Sequence, residues 1–269
     1  MRLPPALERA RAAGSRFVRR MTNGVDDWLA SHSLVETTEI ISRTAFPWAD
    51  ALEARWRDIR AEMDAVLGDR DALPAMQSIS PTQYTITRAP IWKVYLFRAY
   101  GERAEENCRR CPVTAALIDE IPDLEVAFFS ILEPGAHLRA HRGFYKGLVR
   151  AHLGLKVPEP RERVRIRVGR ETIHWREGEL VLFDDTYRHE AWNETDGVRV
   201  VLLIDVARPF PPPLARLNRA FLRLARLTPL VRTAVRNHRA WEKAYYAGGG
   251  PERGGRDGVQ PEGGVRPAA

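Results

Sequence analysis

Between Tyr84 and Val206 the chain consists of short runs rich in β-branched and aromatic residues, broken by turn signals, and this texture admits few folds. The runs are Tyr84 to Thr87, Trp92 to Phe97, Leu124 to Leu132, Leu148 to Val157, Val164 to Val168, Glu171 to Trp175, Glu179 to Phe183 and Val198 to Val206. Many short strands joined by close turns make a sandwich or a barrel, and Gly178 and Gly197 stand where tight hairpins need glycine. The expected fold is mainly β: a double-stranded β-helix, jelly-roll and cupin-like, with flanking α-helices.

The flanks follow a different period. Leu52, Trp56, Ile59, Met63 and Val66 recur at helical spacing and predict a helix over 50–67, and Pro112 opens another that reaches Ile121. Leu7 to Arg20 reads as a basic, weakly amphipathic helix. After the prolines at 209–213, Leu214, Leu217, Phe221 and Leu224 form one stripe and Arg216, Arg219, Arg223 and Arg226 another. A break at Thr228-Pro229 precedes a second basic helix to about Tyr246, and the Gly-, Pro- and Arg-rich end predicts disorder. The expected division is a helical extension over 1–75, a jelly-roll core over 76–210, basic helices over 211–247 and a disordered tail over 248–269. The Leu217, Phe221 and Leu224 stripe has two readings of equal weight. Either it packs on the core, leaving the arginines solvated, or it makes peripheral contact with an anionic membrane.

A chain of 269 residues with 44% hydrophobic composition can bury one sizeable core. Its formal net charge of +7 favours an anionic partner. Nucleic acid has little support, since no surface motif interleaves aromatic and basic residues. Cys108 and Cys111 lack the second pair that a structural zinc site needs and read as structural. Charges run through the first twenty residues without an apolar signal segment, and the longest apolar stretches are strand-sized. The expectation is a cytoplasmic protein, with the inner face of the membrane as its peripheral site. Nothing fixes its oligomeric state.

Five of the seven histidines, His137, His141, His152, His174 and His189, fall in or beside the β-rich core. His141 follows a strand and a Glu-Pro-Gly turn, while His189 opens His-Glu-Ala-Trp-Asn after Phe183-Asp184-Asp185. Both therefore belong near strand ends, which a jelly roll gathers at its mouth. Neutral imidazoles there can bind Fe(II) and leave positions open for a chelating cosubstrate. Arg199, ten residues after His189, leads into a strand and could hold the far carboxylate of a 2-oxo diacid in a bidentate pair.

Three longer segments sharpen this reading: Ser-Ile-Leu-Glu-Pro-Gly-Ala-His-Leu-Arg-Ala-His-Arg-Gly from Ser130, Leu-Val-Arg-Ala-His-Leu-Gly-Leu from Leu148, and Trp-Arg-Glu-Gly-Glu-Leu-Val-Leu-Phe-Asp-Asp-Thr-Tyr-Arg-His-Glu-Ala-Trp-Asn from Trp175. Together, over roughly Trp92 to Pro209, they resemble the catalytic core of the aspartyl/asparaginyl β-hydroxylases, which are Fe(II)- and 2-oxoglutarate-dependent dioxygenases. The resemblance implies that His141 and His189 are the metal ligands and that Arg199 and Ser130 bind the distal end of 2-oxoglutarate. It further implies that Arg150, His152 and Trp92 help line the cosubstrate pocket. Gly143 stands where many other iron dioxygenases carry a ligating carboxylate, so the resemblance implies a centre held by two imidazoles. Asp184 and Asp185 read as turn-ordering or supporting groups, and His137 as a support for the ligands.

By the same resemblance the reaction hydroxylates an unactivated C–H bond and releases succinate and carbon dioxide. Chain size, Asn-Cys-Arg-Arg-Cys-Pro from Asn107 and His-Arg-Gly-Phe-Tyr-Lys-Gly from His141 are most similar to bacterial hydroxylases of lipid A or ornithine-lipid acyl chains. Hydroxylation of Asp or Asn in a peptide, or of an amino acid, is the second reading. A non-catalytic jelly roll that binds an anionic ligand is the alternative of another class.

Overall fold

A computed structural model describes residues 24–247; the helix expected at 7–20 and the tail expected at 248–269 lie outside the described residues. Residues 24–31 form helix α1. After β1 (Ile40–Ile41) come α2 (Trp48–Ala54), α3 (Trp56–Leu67) and the short α4 (Met76–Ile79). The strands β2 (Trp92–Ala99) and β3 (Glu102–Arg103) precede α5 (Glu105–Arg110) and α6 (Pro112–Asp119). The β-rich half then runs through β4 (Leu124–Leu132), β5 (Ala136–His141), β6 (Leu148–Lys156), β7 (Val164–Val168), β8 (Glu171–His174), β9 (Leu180–Phe183), β10 (His189–Asn193) and β11 (Arg199–Ala207). Two helices, α7 (Pro212–Ala225) and α8 (Pro229–Ala247), close the described chain.

The strands form two antiparallel sheets, one of order β1-β9-β6-β11-β4-β2-β3 and one of order β5-β10-β7-β8. This is the mainly β, jelly-roll architecture that the strand texture predicts. Strand alternation gives the large sheet two different faces. Val149, Ala151 and Leu153 of β6 and Val200, Leu202 and Ile204 of β11 point outward, into a core shared with Leu52 of α2, Ile59 and Met63 of α3 and Ile118 of α6. The opposite parity, Val201 and Leu203 of β11 with Val126, Phe128 and Leu132 of β4, faces Leu138, Val164, Ile166 and Ala191 of the small sheet. Polar residues at that inner parity are therefore carried between the sheets, where burial is costly unless something pairs with them.

Several local expectations change. Tyr84 to Thr87 is not a strand, because Pro81 opens a 3-10 helix over Pro81–Thr85. The helix expected over 50–67 is two, since Arg55 leaves helical geometry at φ −109°, ψ 14°. Cys108 lies on α5 and Cys111 just after it; both are free and buried in the outer core. On α7 the buried stripe is Leu214, Asn218 and Leu222, whereas Leu217, Phe221 and Leu224 are exposed. The packing reading of that stripe is thus overturned. Asn218 turns the helix, accepting a hydrogen bond from Tyr145 Oη at 2.6 Å and donating to the Gly147 carbonyl at 2.9 Å.

Candidate functional site

The two histidines of interest meet at one end of the small sheet. His141 ends β5, His189 begins β10, and the two are direct partners across the strands. Their rings lie 4.1 Å apart between centroids, tilted by 58°. That meeting depends on a bulge. His189 pairs with His141 and Ala191 with Leu138, so β5 spends one residue more than β10 over the same step. The extra residue reverses the alternation of β5, and His141 shares the inner side with Leu138 although three positions separate them.

Each Nδ1 faces a main-chain carbonyl, Arg139 O at 2.7 Å for His141 and Tyr187 O at 3.0 Å for His189. In a neutral ring that carbonyl fixes the proton on Nδ1 and leaves the Nε2 lone pair available to a metal. Burial keeps the rings neutral, lowering His141 below its ordinary value and His189 to about 3. Two adjacent unprotonated imidazoles with Nε2 to spare suit a divalent metal.

The inner face of the large sheet continues the site inward. Phe183 lies 6.0 Å from His189 and 4.9 Å from His152, and Trp175 lies 5.8 Å beyond His152. Arg199 stacks on Trp175 at 4.5 Å. It is 1% exposed, and its recorded hydrogen bond goes from Nη1 to Ser130 O at 3.2 Å. No carboxylate lies within 4 Å of it among the described residues, and burial pulls its pKa down to about 9. Ser130 Oγ accepts from Trp92 Nε1 at 3.0 Å, so the serine proton is free to be donated elsewhere.

Around Arg199 the polar atoms are orphaned. His152 Nδ1 and Nε2, Trp175 Nε1 and Arg199 Nε are all buried without a hydrogen-bond partner. Burial beside Arg199 and Arg150 drives His152 well below its ordinary pKa. Unpaired buried donors are rare in native proteins, and a cluster of them leaves room for a polar partner. A chamber with an uncompensated cation at one end and two neutral imidazoles at the other fits a dicarboxylate that reaches a metal. Gly154 makes the wall possible: a Cβ there would meet Arg176 O at 2.1 Å, so only glycine lets the segment bearing Trp175 lie against β6.

Arg150 shares the inner face but is already engaged, bonding Asp205 through Nε (2.7 Å) and Nη2 (2.8 Å) and reaching Asp185 at 3.2 Å. Asp185, raised to about 6 by burial, lies so close to Gly143 that a Cβ there would fall 2.2 Å from its carboxylate. Asp184 is fully buried between Arg208 (2.5 Å) and Lys146 (2.8 Å) and accepts from Thr186 N at 3.0 Å. It orders the turn before His189. Among the described residues no group of three or more His, Cys, Asp or Glu is arranged for a metal.

The structure therefore brings His141, His189, His152, Arg199, Ser130 and Trp92 to one chamber, with Arg150 at its side. His137 is a correction: it lies on the outer face, stacked on Trp192 at 5.1 Å and 3.3 Å from Glu190, and supports neither ligand. Trp175 and Phe183 were not singled out beforehand, because an aromatic residue in a strand reads as ordinary core.

Residues 53–209 match the model of the aspartyl/asparaginyl beta-hydroxylase family, more than half of the chain. The chain belongs to the aspartyl/asparaginyl β-hydroxylase family. It is accordingly a hydroxylase. Among its relatives, an ornithine lipid ester-linked acyl 2-hydroxylase of Rhizobium tropici is 40% identical over 88% of this chain and 84% of its own. The human aspartyl/asparaginyl beta-hydroxylase is 30% identical over 62% of this chain but only 22% of its own length. Of solved structures, a Pseudomonas putida prolyl-4-hydroxylase aligns with 57% of this chain and 88% of its own at 21% identity and a TM-score of 0.37, a likeness too distant to bear on the site.

Proposed function

We propose that this hydroxylase depends on Fe(II) and 2-oxoglutarate and acts on the acyl chain of a membrane lipid. The observation that carries the cofactor reading is Arg199, a buried guanidinium without a counter-ion, on the inner face of the large sheet that packs against the small sheet bearing the histidine pair. His141 and His189 would hold the metal through Nε2, their Nδ1 protons spent on carbonyls. Arg199 and the Ser130 hydroxyl, aligned by Trp92, would take the far carboxylate. His152 supplies an unpaired donor and acceptor along the wall, and Arg150 sets a positive potential beside the histidines. The bound iron and 2-oxoglutarate supply the oxidising power for C–H hydroxylation, with succinate and carbon dioxide as co-products. The chain's own residues hold geometry, keep the imidazoles unprotonated and exclude water through Phe183 and Trp175.

The lipid substrate is supported by the Rhizobium tropici relative, which is similar across nearly the whole of both chains. Purified protein incubated with cell lipids, Fe(II) and 2-oxoglutarate is expected to release succinate and to add one oxygen to an acyl chain, both lost in His141→Ala. Succinate without an oxygenated lipid would refute the substrate, and the absence of both would refute the cofactor reading.

A further inference from the structure

Ten large hydrophobic side chains are exposed among the described residues. Eight of them fall on α1, the 142–147 loop, α7 and the turn into α8, including Trp28, Phe144, Leu217, Phe221, Leu224 and Leu227. Such clustering is not the scattered exposure of an ordinary surface and marks an interaction face. Between α1, the loop and α7 it opens as a groove of about 430 Å³. Its polar groups are already used: Asp26 accepts from Lys146 N at 3.2 Å, and Asn218 binds Tyr145 and Gly147. What the groove offers a partner is hydrocarbon.

Charge adjoins it. A cleft of about 670 Å³ between α7, α8 and the β2–β3 turn is lined by Arg223, Arg226, Arg232, Arg236 and Arg239. Arg226 pairs with Glu125 and Arg239 with Glu102, but Arg223, Arg232 and Arg236 have no carboxylate within 4 Å among the described residues. Uncompensated arginines beside an apolar ridge are complementary to an anionic phospholipid bilayer, whose phosphates meet the one while the interface receives the other.

We propose that this face docks the hydroxylase on an anionic bilayer, with Trp28, Phe144, Leu217 and Phe221 entering the interface and Arg223, Arg232 and Arg236 on lipid phosphates. The docked face is continuous with the site: the loop bearing Phe144 follows directly from His141 and is tied to the turn before His189 by Gly143 N donating to Asp185 O at 2.7 Å. Docking thus turns the histidine end of the chamber toward the membrane. This partner rests on the proposed action on a membrane lipid, but binding is measured without turnover.

The test is flotation of the full chain with phosphatidylcholine vesicles and with vesicles that also contain phosphatidylglycerol. Binding is expected to the second kind and to weaken with salt. Each of Arg223→Ala, Arg232→Ala and Arg236→Ala should weaken it about fivefold, and Leu217→Asp or Phe221→Asp about tenfold or more. These side chains are exposed, so melting temperatures should match the parent. His141→Ala should float as the parent does, so a failed catalytic reading leaves this result standing. Four outcomes overturn the proposal: no binding to anionic vesicles; binding unchanged in the ridge and arginine variants; binding gained only when residues 1–23 are deleted, which makes that segment the occupant; or ridge variants that dissociate a dimer yet float normally, which makes a second copy the occupant.

Discussion

Arg199→Met tests the chamber because it separates the cost of the guanidinium from its use. Burial moves the Arg199 pKa from its ordinary range to about 9, and at 1.36 kcal/mol per pH unit this is a penalty on the order of 5 kcal/mol for keeping the charge inside. The sign follows from proton binding. The unfolded chain holds the proton more tightly, so the penalty is fully present below about pH 9 and is relieved only as pH rises above it. Methionine of similar length removes the charge but also the stacking on Trp175, worth roughly 1–2 kcal/mol. The ligand-free variant should therefore be more stable than the parent by roughly 3–4 kcal/mol, within the range seen when buried ions give way to apolar groups. At about 2–4 °C per kcal/mol for a chain of this size, thermal melting resolves the difference. Adding 2-oxoglutarate to protein already saturated with Mn(II), which cannot turn over, should stabilise the parent by about 2.7 kcal/mol at a hundredfold excess over Kd and leave the variant unmoved. A variant that melts lower than the parent, yet is still stabilised by 2-oxoglutarate, would refute the assignment of Arg199 as the anion's partner.

The remaining expectations concern groups with different burdens. His141→Ala and His189→Ala should each weaken Mn(II) binding by more than about 100-fold, beyond what supporting residues cost, and Asp185→Asn should weaken it less; equal losses in equilibrium dialysis would make Asp185 a ligand. Asp184→Ala leaves Arg208 and Lys146 unpaired in the interior and should cost roughly 3–5 kcal/mol in urea unfolding, with metal affinity of the folded protein retained. His238 on α8, 4% exposed, is lowered by burial from near 6.5 to about 4, so the unfolded chain protonates first and stability falls as pH drops through that interval. His238→Leu should remove about 2 kcal/mol of the loss between pH 6.5 and pH 5, and an unchanged pH profile of unfolding would show that this ring stays neutral for another reason.

Much of the proposed site was legible through the family resemblance, and strand parity accounts for where its residues stand. Ser130, Arg150, His152 and Arg199 lie on runs the sequence marks as strands, and the fold carries all four to the inner face. The strands that carry the histidine pair were not legible. In β5, Ala-His-Leu-Arg-Ala-His has little β-branched or aromatic content, and in β10 buried polar residues occupy both parities. Tertiary pairing, not propensity, makes them strands. The exposed face of α7 had two readings for a related reason: Leu217 and Phe221 match a packing stripe by composition, and the burial of Leu214, Asn218 and Leu222 with the hydrogen bonds of Asn218 to the 142–147 loop shows which side turns inward.

Because the extra residue in β5 aims the His141 ring, the proposed metal site is encoded partly by a bulge. Were the same residues paired without that bulge, simple alternation would put that imidazole on the solvent side with His137, while every side chain assigned to the site kept its identity. In such a barrel a one-residue slip of pairing can retire the proposed metal site and leave the wall that bears Arg199 behind it whole. A homologue that keeps Ser130, His152 and Arg199 but pairs its first histidine without the bulge would, on the proposed reading, be a binder of dicarboxylates and not an oxygenase.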